Sequence, residues 1–178
     1  FNTSKEIVRN ALLSAVEKRV RNTDRPLACL LSGGLDSSLI ASISARILKA
    51  QNKTLHTFSI GMDGSEDIIY AKMVAEHIGS KHTTIQLSEQ EFLDAILEVI
   101  YAIESYDVTT VRASVGNYLV AKYIKQHSDT IVLLNGDGSD ELFGGYLYMH
   151  ESPNAHEFDK EIRRLLTEIH YFDVNSSL

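Results

Sequence analysis

With 178 residues, 44% of them hydrophobic and 23% charged, the chain has the size and balance of one globular domain, which excludes extensive disorder. A formal net charge of −7 argues against a nucleic-acid scaffold, since phosphate backbones call for surplus Lys and Arg. No apolar stretch approaches the ~20 residues of a membrane span, no secretory signal is visible, and no repeat or low-complexity tract interrupts the chain.

Residues 3–20 read as an amphipathic helix. Thr3 and Glu6 have capping-box spacing, and Val8, Leu12, Val16 and Val20 recur on one face. After Asp24-Arg25-Pro26 comes the short apolar run Leu27-Ala28-Cys29-Leu30-Leu31, the pattern of a strand buried on both faces. Cys29 is the only cysteine, so it cannot pair internally. Its place in that run marks a buried structural thiol and a reducing, cytoplasmic setting. The run enters Ser32-Gly33-Gly34 and a helical pattern over 36–51.

The alternation then continues. Residues 55–60 read as a second strand and 66–78 as a helix stopped by Gly79. A third strand covers 82–87; Ser88 and Glu91 repeat the capping-box spacing ahead of one helix to 104, and another helix spans 111–126. The fourth strand, 130–134, meets Asn135-Gly136-Asp137-Gly138, and 155–172 is helical with Phe158, Ile162, Leu165, Leu166 and Ile169 on one side. Strands separated by helices predict an α/β fold: a parallel twisted sheet, right-handed crossovers and helices on both faces. The expected organisation is one domain over 1–178, with a leading helix at 1–24, a nucleotide-binding core over 27–150 and a C-terminal helix at 155–173.

Ligands of such sheets bind beyond the carboxyl ends of the strands, where strand order reverses. If the first and fourth strands are neighbours, their two glycine-rich turns face one crevice. The first turn is Ser32-Gly33-Gly34-Leu35-Asp36-Ser37-Ser38. Paired glycines let a phosphate approach the main chain, the following helix offers free amides and a positive dipole end, and three serines add hydroxyls. An ordinary strand-to-helix turn with a serine cap is the plainer reading of a bare Gly-Gly. The full string after a buried strand favours phosphate binding. It lacks the Gly-Lys-Ser/Thr of a Walker A loop, and it resembles the PP-loop of the ATP pyrophosphatases, the adenine nucleotide alpha hydrolase-like fold. That family cleaves ATP between the α and β phosphates. A carboxylate at Asp36 beside phosphates implies a cation between them, and Mg²⁺ is the expected one.

The second turn runs Asn135-Gly136-Asp137-Gly138-Ser139-Asp140-Glu141-Leu142-Phe143-Gly144-Gly145-Tyr146. A solvated acidic turn is the plain alternative, but this string follows an apolar strand. It closely resembles the Ser-Gly-Glu-Gly-Ser-Asp-Glu-Leu signature of asparagine synthetases and its Phe-Gly-Gly-Tyr continuation. Phe58-Ser59-Ile60-Gly61-Met62, Val74-Ala75-Glu76-His77-Ile78-Gly79 and Tyr106-Asp107-Val108-Thr109-Thr110-Val111-Arg112-Ala113-Ser114 resemble the same family in the same order, so the likeness runs from about 7 to 174.

That resemblance implies an ATP site made by Leu31, Ser32, Gly33, Gly34, Leu35, Asp36, Ser37, Ser38, Ile60, Asn135 and Gly136, with Leu31 and Ile60 at the adenine nucleoside. It implies magnesium on Asp36 and Asp140, formation of the acyl-adenylate at Asp137, and substrate handling by Thr109 and Arg112. Thr109 and Arg112 read equally as the start of a helix. The implied reaction is attack of the aspartate β-carboxylate on Mg-ATP, giving β-aspartyl-AMP and pyrophosphate, then displacement of AMP by ammonia. Asn135 replaces the family's usual Ser and Asp137 its usual Glu, which leaves open an amide or lactam former acting on another carboxylate. A non-catalytic ATP-binding fragment is the other alternative.

Phe1 in place of an initiating methionine is expected of a fragment. The family's glutaminase domain would then lie on an N-terminal segment or a separate chain, and its pyrophosphate-binding lysine on a C-terminal one. Nucleic acid and membrane are not expected partners. The seven histidines show no His-x-x-x-His spacing and read as surface or packing residues.

Overall fold

The computed structural model describes residues 2–175, with side chains over 4–168. Two compact units emerge, Phe1–Gly136 and Asp137–Leu178. The first holds helices α1 (Asn2–Arg21), α2 (Leu35–Lys49), α3 (Glu66–Ile78), α4 (Glu89–Asp94), α5 (Ile96–Ile103) and α6 (Val108–His127). Its strands are β1 (Leu27–Leu30), β2 (His56–Gly61), β3 (Lys81–Gln86) and β4 (Val132–Leu134). The second holds α7 (Ser139–Phe143), a 3-10 turn (Leu147–Glu151) and α8 (Ala155–Asn175).

All strand pairings are parallel, in the order β3-β2-β1-β4. The chain moves outward from β1 through β2 to β3, then returns to place β4 on the other side of β1. The reversal therefore falls between β1 and β4, whose carboxyl ends carry the two glycine-rich turns. Register follows from side-chain alternation. Cys29 faces one layer and Ala28 the other, and both are fully buried, which is why β1 reads as an unbroken apolar run. On one face Cys29, Leu31 and Leu55 pack with Val16 and Val20 of α1, Ala41, Ile43 and Leu48 of α2, and Ala71 and Ala75 of α3. On the other, Ala28, Phe58 and Ile85 pack with Val120 and Ile124 of α6. Burying side chains such as Phe58 and Leu55 contributes about 1.5–3 kcal/mol each.

Several expectations need correction. The helix read as continuous to 104 breaks at Ala95 into α4 and α5. No glycine or proline marks the break, and buried Ala95 and Val99 turn α5 onto Val111 and Val115 of α6. The Ser88–Glu91 capping box ahead of it is present. Helix α6 starts three residues earlier than expected because Asp107 caps it, its carboxylate accepting the Thr110 N–H at 2.8 Å. In α1 the apolar face packs from Leu12 onward, and Val8 is exposed. The Thr3 and Ile169 side chains lie outside the described residues. Helix α7 and the 3-10 turn were not read from the sequence, being too short to show a period.

Between β2 and β3 the first layer is polar. Thr57, fully buried, bonds Ser80 Oγ at 2.8 Å and His82 Nδ1 at 2.9 Å, while His82 Nε2 meets Ser59 Oγ at 3.0 Å. On the opposite face His56 Nε2 meets Thr83 Oγ1 at 2.9 Å. Burial first, then the charge of Lys72 and of His56, hold the His82 pKa below the ordinary imidazole value.

Candidate functional site

The turn leaving β1 is shaped by its own serines. Ser32 N–H donates to Ser37 Oγ at 3.2 Å, the two hydroxyls lie 2.9 Å apart, and Gly34 N–H donates to Ser32 Oγ at 3.3 Å. These bonds hold Gly33 at φ +89°, the left-handed region that favours glycine. A Cβ at Gly33 would also lie 2.6 Å from the Ala71 nitrogen of α3, so the turn sits directly on that helix.

The 15-residue α2 starts at this turn with Gly34 as N-cap, and no side chain caps its first amides. Helix termini leave such amides unpaired and carry a positive partial charge. Ser38 Oγ is buried and has no hydrogen-bond partner among the described residues. Of the three serine hydroxyls expected to serve as donors, those of Ser32 and Ser37 are bonded within the turn and that of Ser38 is not bonded to any described residue. The Leu31 side chain lies in the core.

The end of β4 reaches the same place. A Cβ on Gly136 would lie 2.8 Å from Ser37 N and 2.9 Å from Asp36 Cβ. Only a residue without a side chain lets the strand end approach the first turn of α2 this closely. The half-buried Asp36 therefore stands where both turns meet. Asn135 is exposed beside it, and Leu35 projects to solvent.

Beyond the carboxyl end of β2 opens a cavity of about 690 Å³, within the range of small-molecule sites. Its walls are apolar, including Phe92, Ile96, Ile100 and Val115, and Ile60 and Arg112 both line it. Two sequence-predicted site residues are thereby brought together, while residues 31–38 lie outside its lining. Arg112, in the second turn of α6, makes no ion pair among the described residues. Thr109 is exposed in the first turn and does not line the cavity. The amide hydrogen bond from Thr110, followed by its hydroxyl bond, keeps the Asp107 carboxyl below the ordinary carboxylate range. Asp67 and Glu89 also line the cavity and were missed in the sequence, because acids in first helical turns read as dipole complements.

In the second unit Asp137 is exposed and Asp140 half-buried. Tyr146 donates a short hydrogen bond to Glu141, which first among its neighbours pushes the phenol up to about 12. The Asp140 carboxylate, by contrast, accepts no hydrogen bond from the described residues. Among the described residues no three His, Cys, Asp or Glu side chains cluster as a metal cage, and no helix is long and apolar enough to cross a membrane. Magnesium bound through phosphates needs only one or two carboxylates, and Asp36 of the first unit and Asp140 of the second are each a residue of that type.

Comparison with known proteins places these features. The solved NH3-dependent NAD synthetase from Campylobacter jejuni superposes on 79% of this chain and 60% of its own, with a TM-score of 0.54 and 18% identity. An NMN synthetase from Francisella tularensis does so on 77% and 56%, at 0.53 and 17%. Both likenesses show the fold. In sequence, the chain is 47% identical over 176 residues to asparagine synthetase [glutamine-hydrolyzing] of Homo sapiens and 48% identical to that of Cricetulus griseus, covering 98% of this chain. It spans 31% of the length of those relatives. The Asparagine synthase family model matches residues 7–175. The chain belongs to the asparagine synthase family.

Proposed function

We propose that this chain is the ATP-binding part of an amide synthetase that activates the side-chain carboxylate of aspartate and transfers it to ammonia. The observation that carries the reading is the seating of Gly136 against Asp36 and Ser37, which adds the end of β4 to the uncapped start of α2. Family membership supplies the reaction type.

The amides of the first α2 turn, the main chain at Leu31 and residues 135–136, and the Ser38 hydroxyl would bind the triphosphate. Ser32 and Ser37 keep the turn in shape for it. The substrate carboxylate would be drawn towards Arg112 and the positive end of α6, where apolar walls strengthen the attraction. Its oxygen attacks the α-phosphorus, the bond to the β-phosphate oxygen breaks, and pyrophosphate leaves. Ammonia then attacks the acyl carbon of β-aspartyl-AMP, loses a proton, and AMP departs with the bonding pair. The protein's part is alignment and electrostatic stabilisation.

Asp36 in the first unit and Asp140 in the second are each proposed as a magnesium ligand, and the ion when bound offsets phosphate charge. Asp137 is proposed to act in adenylate formation, Thr109 in substrate handling, and Ile60 at the nucleoside. The relatives' names describe glutamine hydrolysis; a glutaminase domain, joined or separate, is the proposed ammonia source. A reducing, cytoplasmic setting suits the single buried Cys29, whose thiol burial pushes up to about 11.

The test is ATP–pyrophosphate exchange by the protein carrying this chain. Exchange that requires aspartate is expected. Exchange stimulated by a different acid would transfer the reading to another amide or lactam product, and nucleotide binding without exchange for any acid would leave a non-catalytic binder.

A further inference from the structure

We infer that Gly145 is a positioning residue for Asp140, holding its carboxylate in one orientation by offering bare backbone where any other residue would place a side chain. The inference rests on the proposed role of Asp140 as a magnesium ligand. Helix α7 closes with the N–H groups of both Gly144 and Gly145 donating to the Asp140 carbonyl, the latter at 3.0 Å. The chain therefore folds back over the residue that carries the carboxylate.

The adjacent glycines do different work. Gly144 lies at φ +69°, and the space its Cβ would need is filled by the Phe158 ring and by Met149 Sδ at 3.1 Å. It serves the turn and the packing of α8. The corresponding space at Gly145 is filled by the Asp140 carboxylate itself: a Cβ there would overlap Oδ1, with Cγ at 3.0 Å and Cα at 3.3 Å. Two of these three contacts belong to the side chain that the metal role requires. Glu141, the next acid, is engaged by Tyr146, whereas Asp140 accepts no hydrogen bond from the described residues. Packing against Gly145 thus takes the place of hydrogen bonds in orienting it, and leaves its oxygens free to ligate. Adding one methyl at Gly145 should swing the carboxylate away.

The experiment combines two readouts on the full protein. First, Gly145→Ala should lower Tm by about 5 °C, as overpacking does. In the Asp140→Ala background the same change should cost little, because the clashing group is gone. An equal drop in both backgrounds would overturn the inference. Second, Mn²⁺ binding is followed by electron paramagnetic resonance with a non-hydrolysable ATP analogue present. Asp140→Asn and Gly145→Ala should each weaken it at least about tenfold, while analogue binding in EDTA stays unchanged. Loss in Asp140→Asn with none in Gly145→Ala would discard the positioning role and keep the metal reading. Unchanged Mn²⁺ affinity in Asp140→Asn would discard both.

Discussion

The two halves of the sheet treat polar groups in opposite ways. The β2–β3 pair ties its polar side chains to one another: His82 bonds Thr57 through one ring nitrogen and Ser59 through the other, and Thr57 also bonds Ser80. The β1–β4 pair is apolar inside; beyond the carboxyl end of β1, Ser38 Oγ is buried without a partner among the described residues and no side chain caps the start of α2. An unsatisfied buried polar atom is destabilising, and under the proposed function a bound phosphate would supply the bond that Ser38 lacks. In the proposed function one half serves folding and the other serves binding.

The largest expected effect breaks the binding half. Gly136→Val drives a side chain into the backbone at Asp36 and Ser37. ATP affinity should fall about a hundredfold, close to 2.7 kcal/mol, in a titration calorimetry experiment. Stability should drop by about 1–3 kcal/mol from overpacking. Retained affinity would separate the end of β4 from the nucleotide site.

The folding half is next. His82→Ala strips partners from the buried hydroxyls of Thr57 and Ser59 and should cost about 2 kcal/mol, with Tm lower by about 4–8 °C and ATP affinity unchanged. The same histidine sets a pH dependence. Burial, aided by Lys72 and His56, lowers its folded pKa, so the unfolded chain takes up the proton first. His56 is lowered too, by burial and then by Lys81. Stability should be full above about pH 6.5 and decline as the pH falls through that value towards the lowered folded ones. Tm measured between pH 8 and pH 5 checks the sign, and a flat profile in His82→Ala would assign the larger share to His82.

Much of this contrast was legible in the sequence, for identifiable reasons. Strand β1 announces itself because both of its faces are buried, leaving no polar residue in Leu27-Ala28-Cys29-Leu30. Gly79 and the Ser88–Glu91 pair work within a few residues, so their effects are local and readable. The polar ladder was not readable. Thr57 and His82 lie 25 positions apart and meet only through strand register. The cavity joining Ile60 to Arg112 depends in the same way on how α5 and α6 pack, and the break at Ala95 that lets them do so carries no helix-breaking residue. At the β1 turn the motif was visible, but not the division of labour among three identical hydroxyls.

That division can be sharpened with smaller changes. Asp36→Asn keeps the size of the side chain and removes its charge. It should raise the Mg²⁺ concentration needed for ATP binding at least about tenfold, with Tm unaltered. Unchanged magnesium dependence would remove Asp36 from the metal role.

Ser38→Ala is the finest of these tests because folding and binding should move in opposite directions. Its hydroxyl is buried without a partner among the described residues, so deleting it relieves a desolvation penalty and should raise stability by up to about 1 kcal/mol. If the same hydroxyl completes the phosphate site, its loss should weaken ATP about fivefold, close to 1 kcal/mol. Ser32→Ala should behave differently, since Ser32 accepts the Gly34 amide and pairs with Ser37. There stability and affinity should fall together, because the turn itself loosens. Chemical denaturation and nucleotide titration on the two variants would read both quantities. Parallel losses in both variants would mean that all the hydroxyls merely shape the turn, and that phosphate binding there rests on backbone amides alone.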